Sequence, residues 1–373
     1  MNQQDGQNVV QWSQIGGKVM KNEKLKIGIA GLLIGLIAAA LVYFGNPVNM
    51  GFCIACFIRD TVGALGLHRA ENVQYIRPEI IGLVLGAFLM SLARKEFAPK
   101  GGSSAMTRFI LGFFVMIGCL VFLGCPFRMI LRIAGGDMNA IVGLVGFVAG
   151  IGVGILFLNR GYSLKRSYKQ SKAEGIVFPA IQVAMLALLI AAPAFIFFTA
   201  ADGGPGGLHA AVWISLAAGL AVGAMAQVTR LCMVGGIRDF ILFRETKLLI
   251  GFAAILVAAL AANLAMGNFD PGFVGQPVAH SDGLWNFLGM LLVGYGCTLL
   301  GGCPLRQLIL AGEGNVDSAA AFIGLAAGAA FAHNFGLASS TSGATAGGKA
   351  AVIIGIVVVT VIALAHTFRK SEA

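Results

Sequence analysis

The sequence predicts an all-α polytopic membrane protein, on three observations. Of 373 residues, 58% are apolar and 11% charged, where an average soluble domain has about 25% charged; the mean hydropathy is +0.86. The 26 Lys and Arg residues fall mostly in short clusters between apolar runs. That is the pattern of a basic cytoplasmic face, not of a nucleic-acid binder. Finally, ten apolar runs are long enough to span a bilayer, which takes about 20 residues each.

Residues 1–26 form a polar cytoplasmic N-terminal segment with Lys18, Lys21, Lys24 and Lys26 and no secretory cleavage pattern. Within it Val9, Val10, Trp12, Ile15, Val19 and Met20 suggest a short interfacial helix. Spans follow near 27–44, 78–94, 107–123, 138–158, 177–199, 208–227, 247–266, 284–301, 317–335 and 349–368. A basic linker at 159–176 separates the fourth and fifth. With the N-terminus inside, the inner loops collect Arg94, Lys95, Lys100, Arg160, Lys165, Arg166, Lys169, Lys172, Arg230, Arg238, Arg244 and Lys247. Outer loops 200–207 and 267–283 have no Lys or Arg, although other outer segments carry Arg59, Arg69, Arg77, Arg128 and Arg132. Both termini are therefore expected in the cytoplasm.

Four segments are too apolar for loops and too short to cross: 48–66, 124–134, 229–243 and 302–312. Each reads as a re-entrant or broken helix, tolerated at membrane depth where protein or a cavity satisfies the backbone. They are repeats of one another. Cys-x4-Ile-Arg-Asp occurs at Cys53–Asp60 and 179 residues later at Cys232–Asp239. Gly-Cys-x4-Gly-Cys-Pro-x-Arg occurs at Gly118–Arg128 and 178 residues later at Gly296–Arg306. Matched offsets at two motifs mark an internal duplication. Span 1 then corresponds to span 6, an odd number of crossings apart, so the halves have opposite topology. Repeat 1 covers 27–158 and repeat 2 covers 208–335, with 177–199 as connector and 349–368 as an extra span. Inverted repeats with broken helices are a standard framework for moving a solute through the midplane.

Seven cysteines, an odd number, exclude a fully paired disulfide framework. Pro126 and Pro304 suit the first helical position, which makes Cys125 and Cys303 N-caps beside unpaired N–H groups and the positive helix end. Arg128 and Arg306 lie three residues on, over the same helix face. A lone buried Cys is commonly a small packing residue. Repetition in an inverted pair points instead to a translocation site of Cys53, Cys125, Cys232 and Cys303, with Cys119 and Cys297 inside spans. Cys56 has no partner, because Gly235 holds its place. Arg59–Asp60 and Arg238–Asp239 fit structural ion pairs; with Arg128 and Arg306 they also fit an electropositive vestibule for anions. His68, His209, His280, His333 and His366 show no metal-ligand spacing, and His280 is expected to be solvated. Asp137, Asn139, Asn315 and Asp317 are expected to cap the fourth and ninth spans. Asn46-Pro47 lacks the second copy a water channel needs. No phosphate loop or catalytic triad is present, so an enzyme, a nucleotide and any other cofactor are not expected.

At the paired Cys-x4-Ile-Arg-Asp and Gly-Cys-Pro-x-Arg elements the chain resembles the YeeE/YedE family of bacterial membrane transporters, over roughly residues 25–335. The segments GFCIACFIRD and TRLCMVGGIRD look most like the YedE branch, associated with selenium; the YeeE branch takes up thiosulfate. The resemblance implies an inner-membrane uptake transporter shaped as an hourglass of broken helices. Its buried Cys53, Cys125, Cys232 and Cys303 would pass a selenium- or sulfur-containing anion along by S–H hydrogen bonds. It also implies a small TusA-like sulfur-carrier protein as cytoplasmic partner. A thiosulfate transporter proper remains open, as does a membrane thiol oxidoreductase or persulfide carrier using Cys53 and Cys56.

Overall fold

The computed structural model describes residues 3–368, with side chains from 22 to 367. It is all-α apart from one two-residue pairing of Lys100–Gly101 with Tyr168–Lys169. Ten segments are long and apolar enough to cross a membrane, and the chain is a multi-pass membrane protein. Leu25, Ile29, Leu33 and Leu36 on the first helix and Ile353, Val357 and Val361 on the last face outward, as lipid-facing positions should.

The first half contains α1 (Gln3–Tyr43), α2 (Ile54–Ala64), α3 (Pro78–Ala93), α4 (Ala105–Phe122), α5 (Pro126–Ala134) and α6 (Met138–Asn159). After α7 (Lys172–Ala191), the second half contains α8 (Val212–Thr229), α9 (Met233–Phe243), α10 (Lys247–Met266), α11 (Gly283–Leu300), α12 (Pro304–Gly312) and α13 (Val316–Asn334), and α14 (Ala346–Phe368) closes the chain. The packing is two-fold. The α1–α10 pair has its mate in α3–α8, and α4–α13 has its mate in α6–α11. Likewise α5 lies on α10 as α12 lies on α3. Helices α7 and α14 pack on non-equivalent neighbours, α7 on α3, α12 and α13 and α14 on α4, α11 and α6.

Glycine allows the tightest of these contacts. A Cβ at Gly150 would sit 2.0 Å from the Leu291 carbonyl oxygen, and one at Gly223 2.1 Å from that of Leu83. Of the four short helices, α2, α5 and α12 are buried along most of their length, whereas α9 is buried only over Met233–Gly236.

Two non-helical straps complete the frame, and each closes over the opposite half. Residues 94–104 of the first half run beside the hinge between α12 and α13, through a parallel bridge between Lys100 and Asn315; Ala98 N and Lys100 N donate to Glu313 O and Gly314 O. Residues 267–282 of the second half run beside the hinge between α5 and α6, through a parallel bridge between Asp137 and Gly272; Met138 N and Asp270 N donate to Gly272 O and Gly135 O. The first strap lies on the face that carries the basic loops; the second lies on the opposite face.

Several expectations need correction. The fifth span does not run 177–199. The Ser171 hydroxyl accepts from Glu174 N and starts α7 early, at Lys172, while Pro193 forbids helix at Ala192, which turns left-handed at φ +41°. The sixth span begins at Val212, not 208, because Ala210 N is drawn to the Asn46 side chain. The polar N-terminal segment continues as backbone helix into α1; the side chains proposed for an interfacial helix, from Val9 to Met20, lie outside the described residues. Asp137 and Asn315 do cap α6 and α13. Asp317 instead reaches the strap, accepting from Gly102 N at 2.9 Å and Ser103 N at 3.1 Å, and Asn139 holds Phe273 O at 2.7 Å. His280 is not solvated: it is 2% exposed, and its Nε2 meets Val121 O at 2.8 Å.

Candidate functional site

Each short helix begins at a repeated cysteine. Cys125 and Cys303 cap α5 and α12 in extended conformation with proline at the first helical position. Cys53 and Cys232 cap α2 and α9 in a second way: each sulfur accepts a backbone N–H from the third residue on, Cys56 or Gly235, at 3.3 Å. That role is legible in the motif only once sulfur is allowed as a capping acceptor. Cys125 and Cys303 make no such bond, so their thiols are left to face other groups.

The structure brings the cysteines together. Cys53 and Cys125 sulfurs lie 4.0 Å apart, and Cys232 and Cys303 hold the equivalent cap positions in the second half. Cys119 and Cys297 lie near the ends of α4 and α11, which pack against each other. All seven thiols are free and buried, Cys232 the most exposed at 6%. The first half thus gathers Cys53, Cys56 and Cys125, and the second half carries Cys232 and Cys303 at the equivalent helix starts, all buried.

The break before each Gly-Cys-Pro element has a local cause. The Cys119 carbonyl receives Gly124 N and the Cys297 carbonyl receives Gly302 N, while Leu123 at φ +61° and Gly301 at φ +85° turn the chain left-handed. Glycine accepts that conformation freely; Leu123 does so at a steric cost.

The arginines are treated differently in the two halves. In the first, Asp60 is bound by Arg59 at 2.7 Å and Arg77 at 2.7 Å, all with side chains at most 4% exposed. Arg77 also donates to Pro205 O and Leu208 O. Arg132 pairs with Asp137 at 2.6 Å and donates to Phe122 O. Arg128, expected to face a vestibule, is fully buried. It donates to Asn49 O, Leu123 O, Pro277 O and Val278 O, and one amino group lies 3.8 Å from Cys56 Sγ. Among the described residues Arg128 pairs with no carboxylate. It binds the α4–α5 break, the loop before α2 and the strap 267–282 into one unit.

In the second half Arg238 pairs with Asp239 at 2.8 Å but its side chain remains 30% exposed. Arg306 lies 3.4 Å from Glu313, which also receives Arg230 at 2.7 Å. Glu96 takes Arg230 and Arg94. Its carboxyl is held below the usual range by the Arg94 hydrogen bond, then by Gln227, with the Arg230 and Arg94 charges adding to both. Of the four repeated arginines, Arg238 and Arg306 keep some exposure, while Arg59 and Arg128 are buried.

Sequence reasoning missed Asn49 and Arg77, whose partners include residues remote in the chain, and also Arg132 and Glu313, although Asp137 and Arg306 lie within seven residues of them. It also treated the histidines as scattered; His68 and His333 are in fact stacked, with ring centroids 4.6 Å apart, and His68 Nε2 meets Arg59 O. Burial holds His68 below the ordinary imidazole value.

A family profile described as "Sulphur transport" matches residues 2–151 and 228–372. Those segments hold α1 to most of α6 and α9 to α14, including every cysteine. No curated protein matches the chain. With both cysteine motifs in both halves inside the matched segments, the chain belongs to the sulphur-transport family, the YeeE/YedE membrane transporters.

Proposed function

We propose that this protein carries a small sulfur- or selenium-containing anion across the bacterial inner membrane along its file of cysteines. The observation that carries the reading is the arrangement of Cys53, Cys125, Cys232 and Cys303. One stands at the start of each of four short helices, drawn from both halves, with Cys119 and Cys297 on the helices that lead into the two Gly-Cys-Pro breaks. Helix N-termini favour anions. Thiols are weak donors, so several in series hold an anion without trapping it, as conduction requires. A hard oxyanion would call for denser arginine contacts. The basic face is cytoplasmic in this reading, both termini lie there, and a TusA-like sulfur carrier would take up the cargo at that face. Cys53 and Cys56 are both fully buried, which weighs against their use as a redox pair open to a partner.

The test is uptake by cells that carry the gene, with labelled thiosulfate and selenite in competition, repeated for Cys125→Ser and Cys303→Ser. Uptake of at least one label, lost in both variants, is expected. Normal uptake in both variants overturns the thiol relay, and uptake of neither label overturns transport of these anions.

A further inference from the structure

The two halves match in backbone but differ in side chains, and two of the differences change the number of thiols and the partner of the arginine that follows them. The first difference is Cys56, whose place in the second half is taken by Gly235. Cys56 is fully buried one turn into α2, so the first half gathers three thiols, Cys53, Cys56 and Cys125, where the second gathers two. The second difference is Glu313, whose place in the first half is taken by Gly135. Glu313 lies 3.4 Å from Arg306, while its equivalent, Arg128, meets carbonyl oxygens and the Cys56 sulfur only.

Both differences act in one direction. A buried guanidinium without a counter-charge leaves a net positive field on its surroundings, and in a low-dielectric site that field is weakly screened. Carbonyl oxygens satisfy the hydrogen bonds of Arg128 but do not cancel its charge. Its N–H points at Cys56 Sγ, so the thiol accepts from a cation and its own S–H is polarised as a donor, as in any cooperative hydrogen-bond chain. In the second half Arg306 does have a carboxylate within 3.4 Å, Glu313, shared with Arg230 at 2.7 Å, and Gly235 offers no third thiol.

We propose that Cys56, positioned and polarised by Arg128, makes the first-half thiol cluster the tighter of two anion stations, and that Gly235 and Glu313 make the second-half pair the release station. This rests on the thiol-relay reading above and gives it a polarity: capture toward the opposite face and release toward the basic face. No bond is made or broken; the anion exchanges one set of donors for another.

The test uses the full-length protein in proteoliposomes with thiosulfate as the probe, measuring KM and kcat for uptake. Cys56→Ala should raise KM about tenfold with kcat unchanged or higher, because only anion holding is weakened. Glu313→Gln, at a side chain 11% exposed, should leave KM unchanged or lower and reduce kcat several-fold, because release slows. Opposite movement of the two parameters in the two variants is the signature; a merely structural defect lowers kcat in both. Wild-type uptake with unchanged KM in Cys56→Ala, or with kcat unaltered in Glu313→Gln, overturns the two-station proposal and leaves the relay standing. Absence of wild-type uptake under the competition test would overturn the relay itself, and the polarity with it.

Discussion

The sulfur atoms of Cys53 and Cys125, which start two different helices, lie 4.0 Å apart, although Cys53 is already occupied as a backbone cap. Its two roles can be separated. Serine is a better N-cap than cysteine, so Cys53→Ser should leave the melting temperature unchanged or slightly raised. Uptake should nevertheless fall about tenfold or more, the equivalent of about 1.4 kcal/mol in lost soft contact. Equal loss of stability and uptake would show that the sulfur matters only for folding.

The repeated acids Asp60 and Asp239 should behave differently despite identical motifs. Asp60 is fully buried and holds two guanidinium groups. Asp60→Asn would strand both cations, a change that costs about 3–5 kcal/mol in buried pairs. Asp239 has a half-buried side chain, 27% exposed, and holds one arginine, so Asp239→Asn should cost less than about 1 kcal/mol. Thermal unfolding in detergent or nanodiscs reads the contrast directly.

The strap 267–282 should loosen in acid. Burial holds the His280 imidazole below its ordinary value near 6.5; Arg132 adds to this, while the Val121 hydrogen bond, Asp282 and Asp137 oppose it. The folded state therefore prefers the neutral ring, which donates through Nε2 to Val121 O and accepts Asp282 N at Nδ1. For a base with a depressed value, the stabilisation is complete above the unfolded value and is lost as pH falls below it. Hydrogen exchange of the strap, corrected for intrinsic rates, should accelerate several-fold between pH 7 and roughly pH 5.5, the side of the unperturbed histidine value where the ring takes a proton. Flat protection across that interval would remove His280 as the latch.

Two glycines two residues apart on α6, and so on nearly opposite faces, make a further contrast. Gly150 meets the Leu291 carbonyl, whereas an added Cβ at Gly152 meets nothing within 4 Å. Gly150→Ala should destabilise by about 1–3 kcal/mol through overpacking. Gly152→Ala should be neutral or mildly stabilising, since alanine is the better helix former. Melting temperatures of the two variants decide it.

Much of the scaffold was legible in sequence because its causes are local. Twenty-residue apolar runs, Cys-Pro pairs and a duplicated motif each carry their own signature, and the four short helices fell inside the segments they marked. The fifth span was misplaced because hydropathy weighed Phe195 to Phe198 and overlooked Pro193. Cys125 and Cys303 could be recognised as caps from the proline that follows; Cys53 and Cys232 could not, because a sulfur acceptor has no neighbour that announces it. Arg128 was legible as a charge but not as a fastener, since its partners are carbonyl oxygens of residues 49, 123, 277 and 278, and any side chain there supplies the same atom. The same holds for the straps, whose bridges are made of backbone alone.

The exchange of straps between halves bears on how such a fold could have begun. Each half lends its strap to the hinge of the other, and each leaves its own hinge bare. An ancestral chain of half this length would have had an uncovered hinge and an idle strap until a second copy inserted upside down beside it. Duplication and fusion would then have tied together two molecules that already depended on one another. Once joined, the copies were free to diverge.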